Sequence, residues 1–321
     1  MGDDRVPSGP RRELIASRAG RVDAVIAAAW PDVSRARIQW LIAEGNVTVD
    51  GRPVRKSASV SIGARIEVRL ESGPPVRRAT VAAEGIEILF EDDRLIAVSK
   101  PAAVVVHDSA GAPAPSVAGW FLGRYPAEAD RFSAGRPGIV HRLDKDTTGV
   151  LVLAKDPHSQ HLISRAFEKR EVAKTYVAIC GGRPRHEKGS VESAIGRDPA
   201  DRTRMAVVAH GRNAVTEFEV VAHSDDRSLI EVRPRTGRTH QIRVHLSAVG
   251  CPVAGDAVYG RVPGPRQMLH AWRIAVPHPG GGSLEVTAPL PADFRLCAES
   301  SGLGRDVVRY CESLPARRLP D

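Results

Sequence analysis

The stretch GIVHRLDKDTTGVLVLAKD, residues 138–156, places two apolar runs around a polar turn. Val150-Leu151-Val152-Leu153 reads as a buried strand, Ile139-Val140 as its apolar lead-in, and Thr147-Thr148-Gly149 supplies the small residues that a turn uses. A turn has no use for His141, Arg142, Asp144, Lys145 and Asp146 packed together, so the carboxylates there ask for a chemical reason. Just downstream, Asp156-Pro157 opens a helix with Leu162, Ile163, Ala166 and Phe167 as its apolar stripe. Upstream, IEILFEDDRLIAVSKP (86–101) reads as a hairpin. EVAKTYVAIC (171–180) reads as an alternating strand with Val172, Lys174 and Tyr176 on one face. Further strands are expected at 214–223, 228–235 and 284–289. THQIRVHLSAVG (239–250) reads as a helix capped by Thr239 and stopped at Gly250. Strands outnumber helices without alternating regularly with them, which predicts an α+β domain: a mostly antiparallel mixed sheet with flanking helices.

The N-terminal part has a different texture. RVDAVIAAA (21–29) puts Val22, Val25, Ile26 and Ala29 on one helical face, ended by Trp30-Pro31. A second helix is capped by Ser34, buries Ile38, Leu41 and Ile42, and stops at Gly45. Asp50-Gly51 between Val47-Thr48-Val49 and Pro53-Val54 is a two-residue hairpin signal, and 65–70 alternates like a strand. The expected organisation is a disordered tail over 1–19, a small α/β module over 20–71, a linker over 72–85, a main domain over 86–297 and a C-terminal tail over 298–321.

Lysine and arginine total 46 against 38 acidic residues, a formal charge of +8. Residues 1–80 carry 14 basic and 9 acidic side chains, so +5 of the excess sits in that quarter. Such a balance favours phosphate-bearing partners. Arg35 and Arg37 in the first turn of the second helix oppose the helix dipole, and crowded there they would suit an anion. Four scattered cysteines without a C-x-x-C pair read as reduced, and neither a signal peptide nor an apolar run of membrane length occurs. The chain is therefore expected in the cytoplasm, without a membrane.

DKDTTG from Asp144 fails as a calcium loop, because its twelfth place is Lys155 instead of Glu. A D-x-D-x-T phosphatase nucleophile needs a later acidic pair at a strand end, and none suits. There remains Asp144 as a lone nucleophile or base held ionised by an arginine, with Arg233, Arg235, Arg238 and Arg243 of RPRTGRTHQIR as candidates, against an ordinary Asx turn. His240 and His245 lie about 140° apart on a helix and cannot share a metal. No nucleotide-binding glycine loop is present.

GIVHRLDKDTTGVLVLAKD, KTYVAIC and RTGRTHQIRVHLSAVGCPVAGDAVYG together resemble the three motifs of the RluA-type pseudouridine synthases. VSRARIQWLIAEGNVTVDGRPV is similar to the small RNA-binding domain named after ribosomal protein S-four. The likeness runs over roughly residues 20–295. Thr148, Ala257 and Asp108 depart from the usual family residues without touching the chemistry.

The resemblance implies isomerisation of uridine to pseudouridine in structured RNA, large-subunit ribosomal RNA rather than transfer RNA, by a monomer without metal or other cofactor. It implies catalytic roles for Asp144, Tyr176 and Arg243. Arg142 would fill the space left by the departing uridine. RNA contacts would come from His141, Lys174, Arg238 and His240 in the main domain, and from Arg35, Arg37 and Lys56, with Arg52 and Arg55, in the N-terminal module. A non-catalytic RNA-binding assembly factor is the alternative, which an intact set of Asp144, Tyr176 and Arg243 opposes.

Overall fold

The structure, a computed structural model, describes residues 10–30, 33, 35–55, 57–70, 83–107, 114–129, 132 and 137–313, without the side chains of 35 and 36. These divide into two compact units, drawn from Met1–Arg78 with Asp130–Pro137 and from Ala79–Ala129 with Gly138–Asp321. Ser34, Lys56, Asp108 and nearly all of the expected linker lie outside the described residues.

The first unit contains β1 (Arg11–Ile15), β2 (Gly20–Arg21), α1 (Val22–Ala29), α2 (Arg35–Ala43), β3 (Val47–Val49), β4 (Arg52–Pro53), β5 (Ser59–Val60) and β6 (Arg65–Arg69). One sheet runs β1-β6-β3-β4, and β2 pairs with β5. Val22, Val25 and Ile26 of α1 and Ile38, Leu41 and Ile42 of α2 pack on Val47, Ile66 and Val68 of the sheet. Each such side chain contributes about 1.5–3 kcal/mol by leaving water. Asp50 (φ 49°) and Gly51 (φ 76°) both take positive φ, as the expected tight hairpin requires. The tail expected over 1–19 is corrected here, since Arg11–Ile15 pairs residue for residue with Arg65–Arg69. This is a charged, largely exposed edge strand, so its sequence carries little apolar alternation. Ala29 is exposed instead of buried, and the unexpected buried group on α1 is Asp23, held by Arg21 and Gln39.

The second unit contains β7 (Glu87–Glu91), β8 (Leu95–Lys100), α3 (Val117–Arg124), α4 (Pro126–Ala129), β9 (Thr148–Ala154), α5 (Pro157–Lys169) and β10 (Ala173–Gly181). It continues with β11 (Lys188–Glu192), β12 (Ile195–Arg197), β13 (Met205–Val207), β14 (Val215–His223), β15 (Arg227–Pro234) and α6 (Gln241–Ala248). It closes with β16 (Leu269–Pro277), β17 (Ser283–Thr287), α7 (Ala292–Ser300) and α8 (Gly304–Ser313). The main sheet runs β11-β14-β15-β10-β16-β9-β8-β7 with β17 added beside β16. Every pairing in it is antiparallel except β16 with β9, which makes the sheet mixed as expected.

Helices cover both faces of the central strands. Val177 and Ile179 pack with Phe294 of α7 and Val307 of α8, while Ala178 and Cys180 pack with Ile242 and Leu246 of α6. The second half of β10 is therefore buried without alternation, which corrects the expected one-sided strand there. On α5, Ile163 and Ala166 are buried but Leu162 is exposed, so the true stripe is narrower than expected. The domain does not end at 297. Ala298, Leu303 and Val307 join the core and the Tyr310 hydroxyl bonds to Glu231, so α8 belongs to this unit.

Candidate active site

The polar turn between Val140 and β9 is held from every side, and its anchors leave one carboxylate facing a cavity. The Nε2 atom of His141 accepts the Val152 N–H at 2.9 Å. Lys100 is fully buried at the end of β8 and donates to the carbonyls of Pro101, Val104 and Lys145 at 2.7–2.8 Å. Burial lowers its pKa to about 7, opposed by the nearby charge of Asp146, and three carbonyl acceptors call for its three-donor ammonium form. Arg266, clamped by Asp293, donates to the Asp146 carbonyl at 3.1 Å, and Gln267 donates to the Thr147 hydroxyl at 2.7 Å. Thr148 meets Nδ1 of His270 at 2.8 Å. At Gly149 (φ 117°) a Cβ would stand 2.2 Å from the Ala271 carbonyl oxygen, so only glycine lets β9 reach β16. Asp146 accepts the Ala103 N–H and is thereby part of the scaffold.

Asp144 is the carboxylate left over. Its Oδ2 accepts from Nη1 of Arg243 at 3.0 Å, with side-chain exposures of 21% and 6%. Arg243 comes from α6 and is gripped again from behind. Its Nε and Nη2 donate to Asp256 at 2.6 and 2.8 Å, and that carboxylate has 0% exposure. Asp256 in turn accepts the N–H groups of Val258 and Tyr259 at 2.9 and 3.1 Å. Burial pushes the Asp256 carboxyl up, but Arg243 and these amides outweigh it and leave it below the ordinary carboxylate range. Burial likewise pulls Arg243 down, and Asp256 and then Asp144 reverse that and raise it.

Asp144 and Arg243 lie on the wall of a cavity of about 530 Å³, together with Arg142, Phe167, Lys174, Tyr176, Arg238 and His240. The volume suits a small ligand such as one nucleoside. Burial first, and the charge of Asp144 second, push the Tyr176 hydroxyl well above the usual phenol range, so it stays neutral at ordinary pH. Burial lowers Lys174 to about 8, and its ammonium sits 5.9 Å from the Phe167 ring centre. A placed carboxylate, a neutral phenol and a cation around a nucleoside-sized space can act on a sugar while holding a flat ring.

The expected residues divide in three ways. Asp144, Tyr176, Arg243, Arg142, Lys174, Arg238, His141 and His240 line one cavity. His141 stands there as a neutral ring: burial, then Lys174, lower its pKa to about 3, and it stacks on Phe167 at 4.8 Å. Arg37 is corrected, since it is 7% exposed and covers the Trp40 ring at 4.3 Å instead of standing free for phosphate. The Arg35 side chain and Lys56 are outside the described residues, while Arg52 and Arg55 are exposed. Thr239 does not cap α6; His240 (φ 57°) precedes the helix, and Gln241 ties the turn by accepting from Arg238 N–H and Thr236. Sequence reasoning overlooked Asp256, Lys100, Arg266 and Tyr259, whose hydroxyl takes the Met205 N–H and meets Nδ1 of His240 at 3.0 Å. Among the described residues no cluster of three or more His, Cys, Asp or Glu could hold a metal ion. None of their helices is long and apolar enough to cross a membrane.

Comparison with known proteins gives the same picture. Residues 94–248 match the family described as RNA pseudouridylate synthase, and residues 20–66 match the S4 domain. The chain is 43% identical to an RNA pseudouridine synthase of Chloroflexus aurantiacus, over 87% of this chain and 89% of that one. It is 39% identical to the ribosomal large subunit pseudouridine synthase D of Vibrio vulnificus, over 90% of this chain and 93% of that one. Among solved structures, human RNA pseudouridylate synthase domain containing 1 superposes with a TM-score of 0.57 at 26% identity, covering 74% of this chain and 98% of that one.

Proposed function

We infer that this chain, which belongs to the RluA-type RNA pseudouridine synthases, acts on uridines of large-subunit ribosomal RNA through the carboxylate of Asp144. Membership makes it an isomerase that converts uridine to pseudouridine, with an RNA-binding S4 domain ahead of the catalytic unit. The reaction conserves atoms. The bond from ribose carbon 1′ to N1 breaks, a bond to carbon 5 forms, the carbon-5 proton leaves and N1 gains one.

One observation carries the assignment of Asp144: its oxygen, fixed by Arg243 at 3.0 Å, borders the nucleoside-sized cavity. Attack on carbon 1′ and removal of the 2′ proton both call for a carboxylate oxygen placed against the ribose. Arg243 positions that oxygen, and Asp256 positions Arg243. Tyr176 packs on the uracil, and the carbon-5 proton leaves through its hydroxyl or a water. A uridine inside folded RNA reaches the cavity only by flipping out, at a cost of a few kcal/mol, and exposed Arg142 fills the gap it leaves.

The likeness to the Vibrio vulnificus enzyme, named for the large ribosomal subunit, supports that RNA as substrate. A ribosomal substrate puts the enzyme in the cytoplasm. A single chain supplies carboxylate, guanidinium and phenol, in keeping with a monomer. Carbodiimide mapping of pseudouridine in RNA from cells with and without the gene tests the reading: sites missing from large-subunit ribosomal RNA are expected. Sites lost only from transfer RNA would replace the substrate, and an unchanged map would remove the activity.

A further inference from the structure

Along the mouth of the cavity the arginines fall into two kinds. Arg235 is neutralised by Glu217 at 2.8 Å. Arg170, Arg212 and Arg238 line the same cavity, and among the described residues none of the three has a carboxylate partner. They come from three separate segments, each fixed by its backbone. Arg170 ends α5 in the left-handed region (φ 64°, ψ 28°), where glycine is the usual residue. Arg212 is locked by a two-way backbone pair with Ile195 at 2.9 and 3.0 Å. Arg238 donates its Nε to the carbonyl of Asn213, next to Arg212, at 3.1 Å, which leaves its terminal nitrogens for another acceptor.

Three like charges lining one cavity disfavour one another unless an anion joins them. Burial, and then the charges of Arg212 and Arg170, lower the pKa of Arg238. Guanidinium groups present flat pairs of N–H donors that match the oxygens of a phosphate. A left-handed arginine stands at a position where glycine costs less.

We propose that Arg170, Arg212 and Arg238 together seat one phosphodiester of the RNA backbone, adjacent to the nucleotide drawn into the cavity. The proposal rests on reading that cavity as the uridine site. Its ligand is a phosphate oxygen pair, so the seat fixes where the backbone runs without selecting a base.

The test measures the affinity for an in vitro transcript of large-subunit ribosomal RNA across a potassium chloride series, for three proteins besides wild type. In the combined variant Arg170→Gly, Arg212→Ala and Arg238→Ala, the slope of log affinity against log salt is expected to shrink by about 0.7–0.9, the share of one phosphate contact. Affinity at the lowest salt should fall by about tenfold. Arg295→Ala, an exposed arginine outside the cavity, should match wild type. Arg170→Gly alone should unfold at the same or a higher temperature than wild type while binding RNA more weakly, a combination that a purely structural arginine would not give. Wild-type slope and affinity in the combined variant overturn the proposal, as does an Arg170→Gly protein that unfolds earlier and binds RNA as before. Pseudouridine formed by wild type on the same transcript is scored separately, so failure of the reaction is not confused with failure of the seat.

Discussion

The floor and the mouth of one cavity handle charge in opposite ways. At the floor, Asp144, Arg243 and Asp256 form a chain in which every charge is matched and backbone N–H groups complete the last carboxylate. At the mouth, Arg142, Arg170, Arg212 and Arg238 line the same cavity, and although Glu168 lines it too, none of the four forms an ion pair among the described residues. A matched, buried chain fixes one oxygen in place and is costly to interrupt, about 3–5 kcal/mol when one partner is removed. Unmatched, exposed cations add little to stability and stay available to a ligand. The floor is built for geometry and the mouth for binding.

That contrast can be broken most forcefully at Arg243. Arg243→Met strands the buried Asp256 and frees Asp144, so urea unfolding should show a loss of about 3–5 kcal/mol and single-turnover assays no product. A variant as stable as wild type would erase the distinction between floor and mouth. Asp256→Asn is milder: it keeps an acceptor for the Val258 and Tyr259 amides but loses the charge behind Arg243. Removing one charge-assisted bond of about 1.5–3 kcal/mol should slow turnover roughly tenfold to a hundredfold with RNA affinity intact.

Acid sharpens the contrast, because the mouth holds arginines that do not titrate there while the floor rests on buried groups that do. His270, beneath the turn, is lowered by burial to about 4. Its folded pKa lies below the unfolded value of about 6.5, so the unfolded chain binds the extra proton between these two pH values. Stability should therefore fall as pH drops from 6.5 towards 4, by up to about 3 kcal/mol, and Asp256 adds a further loss at lower pH. Denaturant midpoints measured against pH check this, with a flatter stretch expected for His270→Asn. The smallest effect is at the mouth. Arg142→Ala should leave stability within about 0.5 kcal/mol. It should slow turnover several-fold on folded RNA, with no change on a short unpaired oligonucleotide in which flipping is already free.

How much the sequence disclosed depends on whether a residue's role is local. The Asp50-Gly51 hairpin, the helix opened by Asp156-Pro157 and the buried strand Thr148–Ala154 follow from neighbouring residues, and all are present. Asp144, Tyr176 and Arg243 were legible because three motifs pointed to one site, and one cavity contains them. Asp256 was not. A single acid in GDAVYG, it carries no periodicity, and only the fold brings it against Arg243, 13 positions away. Lys100 was hidden likewise, since its burial is explained by the carbonyls of Pro101 and Val104 together with that of the distant Lys145, and no apolar pattern announces them. Arg37 misled for the converse reason: a cation in a first helical turn suggests an anion, but the neighbouring Trp40 ring took its guanidinium. The edge strand Arg11–Ile15 and helix Gly304–Ser313 escaped because each shows the core only a few apolar residues.

Single-turnover formation of pseudouridine by Asp144→Asn tests the role of the carboxylate most directly, because asparagine keeps the side chain's shape and an acceptor for Arg243. No pseudouridine above background is expected, with RNA bound within a few-fold of wild type. Product formed at close to the wild-type rate would contradict Asp144 as the group that acts on the ribose.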